Sequence, residues 1–171
     1  MAELILITGG ARSGKSNYAE RLATSLGRPV LFLATAEALD EDMRRRIERH
    51  RAGRPEDWVT LEEPLSPAVA LRARTDQSVV LLDCITLLVS NLLLGRRAVE
   101  PEIEALIHWQ QQEEATLIAV TNEVGSGIVP DNALARQYRD SLGLANQALA
   151  AAADRVVLMV AGVPLTLKQP A

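Results

Sequence analysis

Eight consecutive residues near the start of the chain have the types and spacing of a phosphate cradle. Gly9, Gly10, Ala11, Arg12, Ser13, Gly14, Lys15 and Ser16 spell G-x-x-x-x-G-K-S. The glycines can take backbone conformations closed to other residues, so successive N–H groups can turn inward around a phosphate chain. Lys15 adds a mobile charge for the β- and γ-phosphates, the Ser16 hydroxyl is placed to ligate Mg²⁺, and a following helix would add its positive end. A chance match to this pattern falls in roughly one chain of this size in a hundred or fewer. A second group comes later, where Ser78-Val79-Val80-Leu81-Leu82-Asp83 is an apolar run ending in a carboxylate. That is the Walker B form, in which Asp83 would bind Mg²⁺, directly or through water, and could accept a proton from an attacking hydroxyl. The plainer reading of Asp83 is a cap on the next helix.

The elements needed to position these groups can be read around them. Leu4 to Thr8 is an apolar β-prone run entering the glycine loop, and Asn17 to Leu26 leaves it with Tyr18, Leu22 and Leu26 at helical spacing. Buried strands are expected at Val30–Ala34 and Thr116–Thr121, and a shorter one at Trp58–Leu61. Helices are expected from an Asp40 cap to about Gly53, from after Leu65 to about Arg74, over Ile85–Leu94 and Pro101–Glu114, and over Asn132–Ala153 with an interruption at Gly143. Arg155–Ala161 and Leu165–Lys168, joined by Gly162-Val163-Pro164, predict a final strand turned into an antiparallel edge. Alternating strands and helices imply an α/β fold in three layers. The sheet should be mostly parallel, with about seven strands and a C-terminal antiparallel edge strand. Ligands of such sheets sit at the carboxyl ends of strands, so Thr35–Glu37 and the loop Asn122–Pro130 are expected to face the site.

Composition narrows the function class. The 171 residues suit one domain, 1–171, with 48% hydrophobic but only 3% aromatic residues, so the core is aliphatic. A net charge of −4 argues against a general nucleic-acid coat. Cys84 is the only cysteine, which excludes an internal disulfide and fits a reducing compartment. Val79–Leu94 is apolar but carries Asp83, Thr86, Ser90 and Asn91, so no membrane insertion is expected; nor does a signal-like segment open the chain. A cytoplasmic, soluble protein follows. Arg44, Arg45, Arg46, Arg49 and Arg51 crowd one helix with His50, and by composition alone that is as much a solvated face as a site.

The chain resembles, over essentially its whole length, the bifunctional adenosylcobinamide kinase / adenosylcobinamide-phosphate guanylyltransferase family of cobalamin biosynthesis. The matching stretches are T-G-G-A-R-S-G-K-S (Thr8–Ser16), A-T-A (Ala34–Ala36), R-I-E-R-H-R-A-G-R-P (Arg46–Pro55), D-C-I-T (Asp83–Thr86), T-N-E-V-G-S-G-I-V-P (Thr121–Pro130) and Y-R-D-S-L-G-L-A-N-Q (Tyr138–Gln147). The resemblance implies a P-loop, RecA-like fold and two reactions. ATP or GTP first phosphorylates the hydroxyl of the aminopropanol arm of adenosylcobinamide, a corrinoid. GTP then donates GMP to that phosphate through a histidine, which matches His50. It implies guanine-nucleotide contacts at Thr35, Ala36, Glu37, Arg51, Ala52, Gly53, Arg54 and Glu62, and a homo-oligomer, with a trimer among the options; the loop Asn122–Pro130 is a candidate for the corrinoid side or for subunit contacts. Arginines beside His50 would disfavour its protonated form and keep it nucleophilic, while the helix C-terminus acts in the opposite sense. Two chemistries at one apparent nucleotide site predict that the helix bearing His50 moves relative to the P-loop between them. Two other functions fit the P-loop alone. One is a kinase of another small alcohol without nucleotidyl transfer. The other is a GTP-dependent switch, which would ordinarily carry an N-K-x-D motif that this sequence lacks.

Overall fold

Apolar residues alternate between two helix-covered faces along each central strand, and this double burial organises the molecule. The computed structural model describes residues 2–37, 41–74 and 78–170; at positions 42, 43, 46, 47, 49 and 50 the description covers the helix backbone alone. In chain order the elements are β1 (Leu4–Gly9), α1 (Lys15–Ser25), β2 (Val30–Ala34), α2 (Glu41–Ala52), β3 (Val59–Glu62), α3 (Pro67–Arg72) and β4 (Val79–Asp83). There follow α4 (Ile85–Leu94), α5 (Glu100–Gln112), β5 (Thr116–Val120), α6 (Ala133–Ala152), β6 (Arg155–Val160) and β7 (Val163–Lys168). The strands form one seven-stranded sheet in the order β3-β2-β4-β5-β1-β6-β7. All pairings are parallel except β6 with β7.

Leu4, Leu6, Leu31, Leu33, Val80, Leu82, Leu117 and Ala119 pack on one face under α3, α4, α5 and α6. Ile5, Ile7, Phe32, Leu81, Ile118 and Val120 pack on the other with Ala19 and Ala23 of α1. The sheet is therefore the middle of three layers, as the aliphatic runs lead one to expect. Because each fully buried Leu or Ile contributes about 1.5–3 kcal/mol relative to exposure, this double-sided burial sets the register of every central strand.

Two boundaries differ from the sequence expectation. α6 continues through Gly143 without a break, because Leu142, Ala145 and Leu149 hold that face of the helix in the core and outweigh the cost of about 1 kcal/mol for one helical glycine. It is capped by Asn132, whose side chain accepts from the Ala135 N–H at 2.7 Å. β7 begins at Val163 rather than Leu165. The turn is the two residues Ala161 and Gly162, both at positive φ (50° and 85°), the conformation that suits the twist of a tight hairpin. Pro164 is tolerated inside β7 because that strand is the sheet edge. The expected Asp40 cap lies outside the described residues. Among the described residues, no helix is long and apolar enough to cross a membrane.

Candidate functional site at the carboxyl edge of the sheet

The glycine loop leaves β1 at the centre of the sheet and is fastened on both sides. Gly9 has φ 147°, and a Cβ there would be driven into the Met159 carbonyl of β6. Gly14 has φ 92° and opens α1, and a Cβ added there would lie 3.4 Å from the Gly162 Cα. These two positions therefore need glycine for conformation, and Gly9 also for close approach. Ser13 N–H donates to Gly10 O at 3.3 Å and Gly162 N–H donates to Ser13 O at 3.0 Å, so the β6–β7 turn holds the loop. Gly10, Ala11 and Arg12 are exposed, Ser13 and Lys15 are buried, and Ser16 is half-buried in the first turn of α1. Lys15 Nζ reaches back to Gly10 O at 2.6 Å and Ser13 Oγ at 3.4 Å. Its ammonium thus sits inside the loop, where the phosphates of a nucleotide would lie.

Asp83 ends β4, in register with Ala34 of β2 and Val120 of β5. Leu81 faces the α1 side and Leu82 the opposite side, so strand alternation puts Asp83 on the same side of the sheet as α1 and the glycine loop. One strand, β5, separates it from β1, a lateral spacing of about 9–10 Å. The hydroxyl of Ser16 and the carboxylate of Asp83 are hard oxygen donors, the kind Mg²⁺ takes when phosphates complete its shell. The donor chemistry fits the cation.

Thr35 is fully buried and its hydroxyl is engaged within the protein. It donates to Cys84 O at 2.7 Å and accepts from Cys84 N–H at 2.9 Å. Asn91 of α4 donates to Thr35 O at 2.8 Å. The hydroxyl therefore holds the backbone just after Asp83. Ala36 is half-buried and Glu37 exposed.

The arginine-rich element reaches this edge through Arg54. Its guanidinium carbon lies 3.4 Å from the centroid of the Phe32 ring, itself stacked with Trp58. Nη1 donates to Thr60 Oγ1 at 3.2 Å, while Nε is buried with no hydrogen-bond partner among the described residues. Burial lowers its pKa below the ordinary arginine value; the charges of Glu20 and Asp83, then Glu62, oppose this and Arg51 adds to it. Arg51 is exposed and pairs with exposed Glu62 of β3 at 3.3 Å. Ala52 and Gly53 are exposed. His50 belongs to α2 by its backbone; its side chain lies outside the described residues, as do those of Arg46 and Arg49.

Residues 5–167 match the family described as cobinamide kinase / cobinamide phosphate guanyltransferase, CobU. The chain belongs to this family. A Pseudomonas aeruginosa protein, "Bifunctional adenosylcobalamin biosynthesis protein CobP", is 47% identical over 95% of this chain and 96% of its own. The Escherichia coli "Bifunctional adenosylcobalamin biosynthesis protein CobU" is 44% identical over 96% of this chain and 99% of its own. Among solved structures, a type III secretion ATPase superposes with TM-score 0.57 at 14% identity, covering 91% of this chain and 50% of that one. The RadB recombinase superposes with TM-score 0.52 at 14% identity, over 91% and 73% of the two chains. At such identities these likenesses show the P-loop NTPase fold alone.

In this CobU-family chain, one part of the site escapes a linear reading. Thr121 Oγ1 donates to Asn146 Oδ1 at 2.7 Å, and Asn146 Nδ2 donates to Asn122 O at 3.0 Å. Asn122 N–H donates to Thr86 Oγ1 at 2.8 Å, and the Tyr138 hydroxyl donates to Thr86 O at 3.5 Å. Three stretches that carry the family resemblance, around Asp83, Thr121 and Tyr138, thus meet in one network. Their co-occurrence was legible in the sequence, but the side-chain partners were not.

Proposed function

We propose that this chain phosphorylates adenosylcobinamide with ATP or GTP and then transfers GMP from GTP to the resulting phosphate through His50, giving adenosyl-GDP-cobinamide and pyrophosphate. One domain, residues 1–171, would carry both reactions. The observation that carries the reading is Arg54. It lies just beyond α2, the helix of His50, and yet its guanidinium sits over Phe32 of β2, on the α1 face of the sheet. Its buried Nε, which has no hydrogen-bond partner among the described residues, is suited to an anionic oxygen. The element that bears the histidine is therefore tied to the face that bears the glycine loop.

In the kinase step the backbone N–H groups of the loop from Gly9 to Gly14 and the Lys15 ammonium would hold the triphosphate. Asp83 would take the proton from the attacking hydroxyl. Mg²⁺, held by Ser16 and Asp83, would supply charge neutralisation at the phosphates. In the guanylyl step an imidazole nitrogen of His50 would attack the α-phosphorus of GTP. A phosphorus–nitrogen bond forms, the bond to the β-phosphate oxygen breaks, and pyrophosphate leaves. An oxygen of the cobinamide phosphate then displaces the histidine and restores it. Arg51 and Arg54, with Ala36, Glu37, Ala52, Gly53 and Glu62 around them, would line the guanine-nucleotide side, and the buried Thr35 would support it through its hold on the Cys84 backbone.

Both substrates would be small molecules, with no nucleic acid or membrane involved, in the cytoplasm. A homo-oligomer, a trimer among the options, is supported by Ile128, Val129, Leu134 and Leu144. These apolar side chains lie on the loop after β5 and on α6, and Ile128 is 97% exposed.

The test is incubation with α-³²P-GTP and Mg²⁺ followed by denaturing electrophoresis, with His50→Ala alongside. Acid-labile, alkali-stable label on the wild type alone supports the GMP-histidine intermediate. No label on either protein, with nucleotide still bound, would leave a P-loop kinase of a small alcohol.

A further inference from the structure

The peptide that joins Ser13 to Gly14 is gripped from the far end of the chain. Its carbonyl oxygen accepts from the Gly162 N–H at 3.0 Å, and the next carbonyl, Gly14 O, accepts from the Tyr18 N–H of α1 at 3.0 Å. Backbone packs directly on backbone at this point, since a Cβ on Gly14 would meet the Gly162 Cα at 3.4 Å and the Gly162 nitrogen at 4.0 Å. A trans peptide carries its N–H opposite its C=O. With Ser13 O turned onto the β6–β7 hairpin, the Gly14 N–H points away from it, toward the concave side of the loop where the Lys15 ammonium rests.

The hairpin is built to hold that N–H in one place. Ala161 and Gly162, at φ 50° and 85°, join the paired residues Val160 and Val163, and two positive φ values in a two-residue turn are the type I′ pattern that calls for glycine at the second position. A Cβ on Gly162 would meet nothing within 4 Å. Glycine is therefore needed there for backbone conformation and not for space. β6 is in turn fastened to the strand that feeds the loop, because Gly9 pairs with Met159 and a Cβ on Gly9 would be driven into the Met159 carbonyl. The glycine loop is thus attached to one hairpin at its first residue and again just before Lys15.

We propose that Gly162 is a positioning residue of the nucleotide site: its N–H, held by the β6–β7 turn, aims the Gly14 N–H at the phosphates and so sets the affinity for nucleotide. This rests on the reading of the glycine loop as the nucleotide site. An amide fixed before binding does not have to be ordered when the phosphates arrive, so affinity rises although the hairpin itself touches no nucleotide. The amide serves the bound ground state and the transition state alike, so the effect falls on binding and not on turnover. By reciprocity, bound nucleotide must strengthen the bond from Gly162 to Ser13 by the same factor.

The experiment compares wild type with Gly162→Ala, Gly162→Asn and Lys168→Met, titrated with GDP and assayed for kinase turnover with ATP and adenosylcobinamide. Gly162→Ala is expected to bind GDP roughly tenfold more weakly and to raise the KM for ATP by a similar factor, with kcat within about twofold of wild type. Gly162→Asn, whose side chain tolerates the left-handed region, should bind GDP within about threefold of wild type. Lys168→Met removes the Nζ bonds to Ala150 O and Ala151 O, at 3.2 and 2.9 Å, from the other end of β7. It should lower the thermal midpoint and leave GDP affinity unchanged, which separates the grip at the turn from the stability of the hairpin. In the wild type, exchange of the Gly162 amide should slow about tenfold when GDP binds, a readout that stands even if Gly162→Ala does not fold. Wild-type GDP affinity in Gly162→Ala, no recovery in Gly162→Asn, an equal loss in Lys168→Met, or Gly162 exchange indifferent to GDP would overturn the proposal. If the wild type binds GDP but does not phosphorylate adenosylcobinamide, the functional reading fails, and the GDP titrations still decide the role of Gly162.

Discussion

Thr35 and Cys84, on neighbouring strand ends, are joined by a reciprocal pair of hydrogen bonds. The Thr35 hydroxyl donates to the Cys84 carbonyl at 2.7 Å and accepts from the Cys84 N–H at 2.9 Å. Both bonds are made at the residue that follows Asp83. The position of the carboxylate is thereby set by a side chain on a different strand.

Thr35→Val keeps the shape of the side chain and removes both bonds, leaving a peptide N–H and carbonyl unpaired in the interior. We expect a loss of about 2–4 kcal/mol in stability and a fall in kinase turnover larger than any rise in nucleotide KM, because Asp83 is displaced. Thr35→Ser, which retains the hydroxyl, should stay within about 1 kcal/mol of wild type. Urea denaturation and steady-state kinetics on the two variants check this.

Arg54 holds its guanidinium over the Phe32 ring, and a lysine cannot reproduce that contact together with the bond to Thr60. Arg54→Ala should cost about 1–2 kcal/mol through the lost ring contact, and labelling of the protein by α-³²P-GTP should drop at least about tenfold. Arg54→Lys, although it keeps the charge, should recover little of the labelling. Full recovery in Arg54→Lys would mean that charge alone is used.

The alkaline limb of stability follows from Cys84 and Tyr138. Burial, with the charge of Asp83, pushes the Cys84 thiol up to about 12, and burial pushes the Tyr138 hydroxyl up to about 12 as well. Unfolded, they would titrate near 9.0 and 10.0. The folded chain therefore keeps protons that the unfolded chain releases, and stability is retained below about pH 9 and declines as pH rises toward 12. Urea midpoints at pH 8.5 and 10.5 should fall for the wild type and fall less for Cys84→Ala. In the native protein Cys84 should react with iodoacetamide about a thousandfold more slowly than an ordinary thiol at pH 8, because so little thiolate is present.

The elements of the site that are written contiguously were legible in advance. The glycine loop from Gly9 to Ser16, the apolar run ending in Asp83 and the strand–helix alternation are local patterns. Their physical causes, glycine conformational freedom and two-sided burial, act within a few residues of sequence. The Thr35–Cys84 and Asn122–Asn146 pairs were not legible, although the residues stood in stretches already singled out. Thr35 read as a nucleotide contact by its place at a strand end, and only the packed structure shows its hydroxyl engaged with Cys84.

The sequence by itself determined the fold class, the phosphate cradle and the family, because each is carried by residue types at fixed spacing along the chain. Strand order was decided only in three dimensions. By placing β5 between β1 and β4, the folded sheet brings Asn122 between the glycine loop and Asp83. It also lets Thr86, Asn122 and Asn146, from three separate segments, bond to one another. No local propensity encodes such contacts. They arise when burial of both sheet faces fixes the register and the polar groups left at the strand ends must find partners.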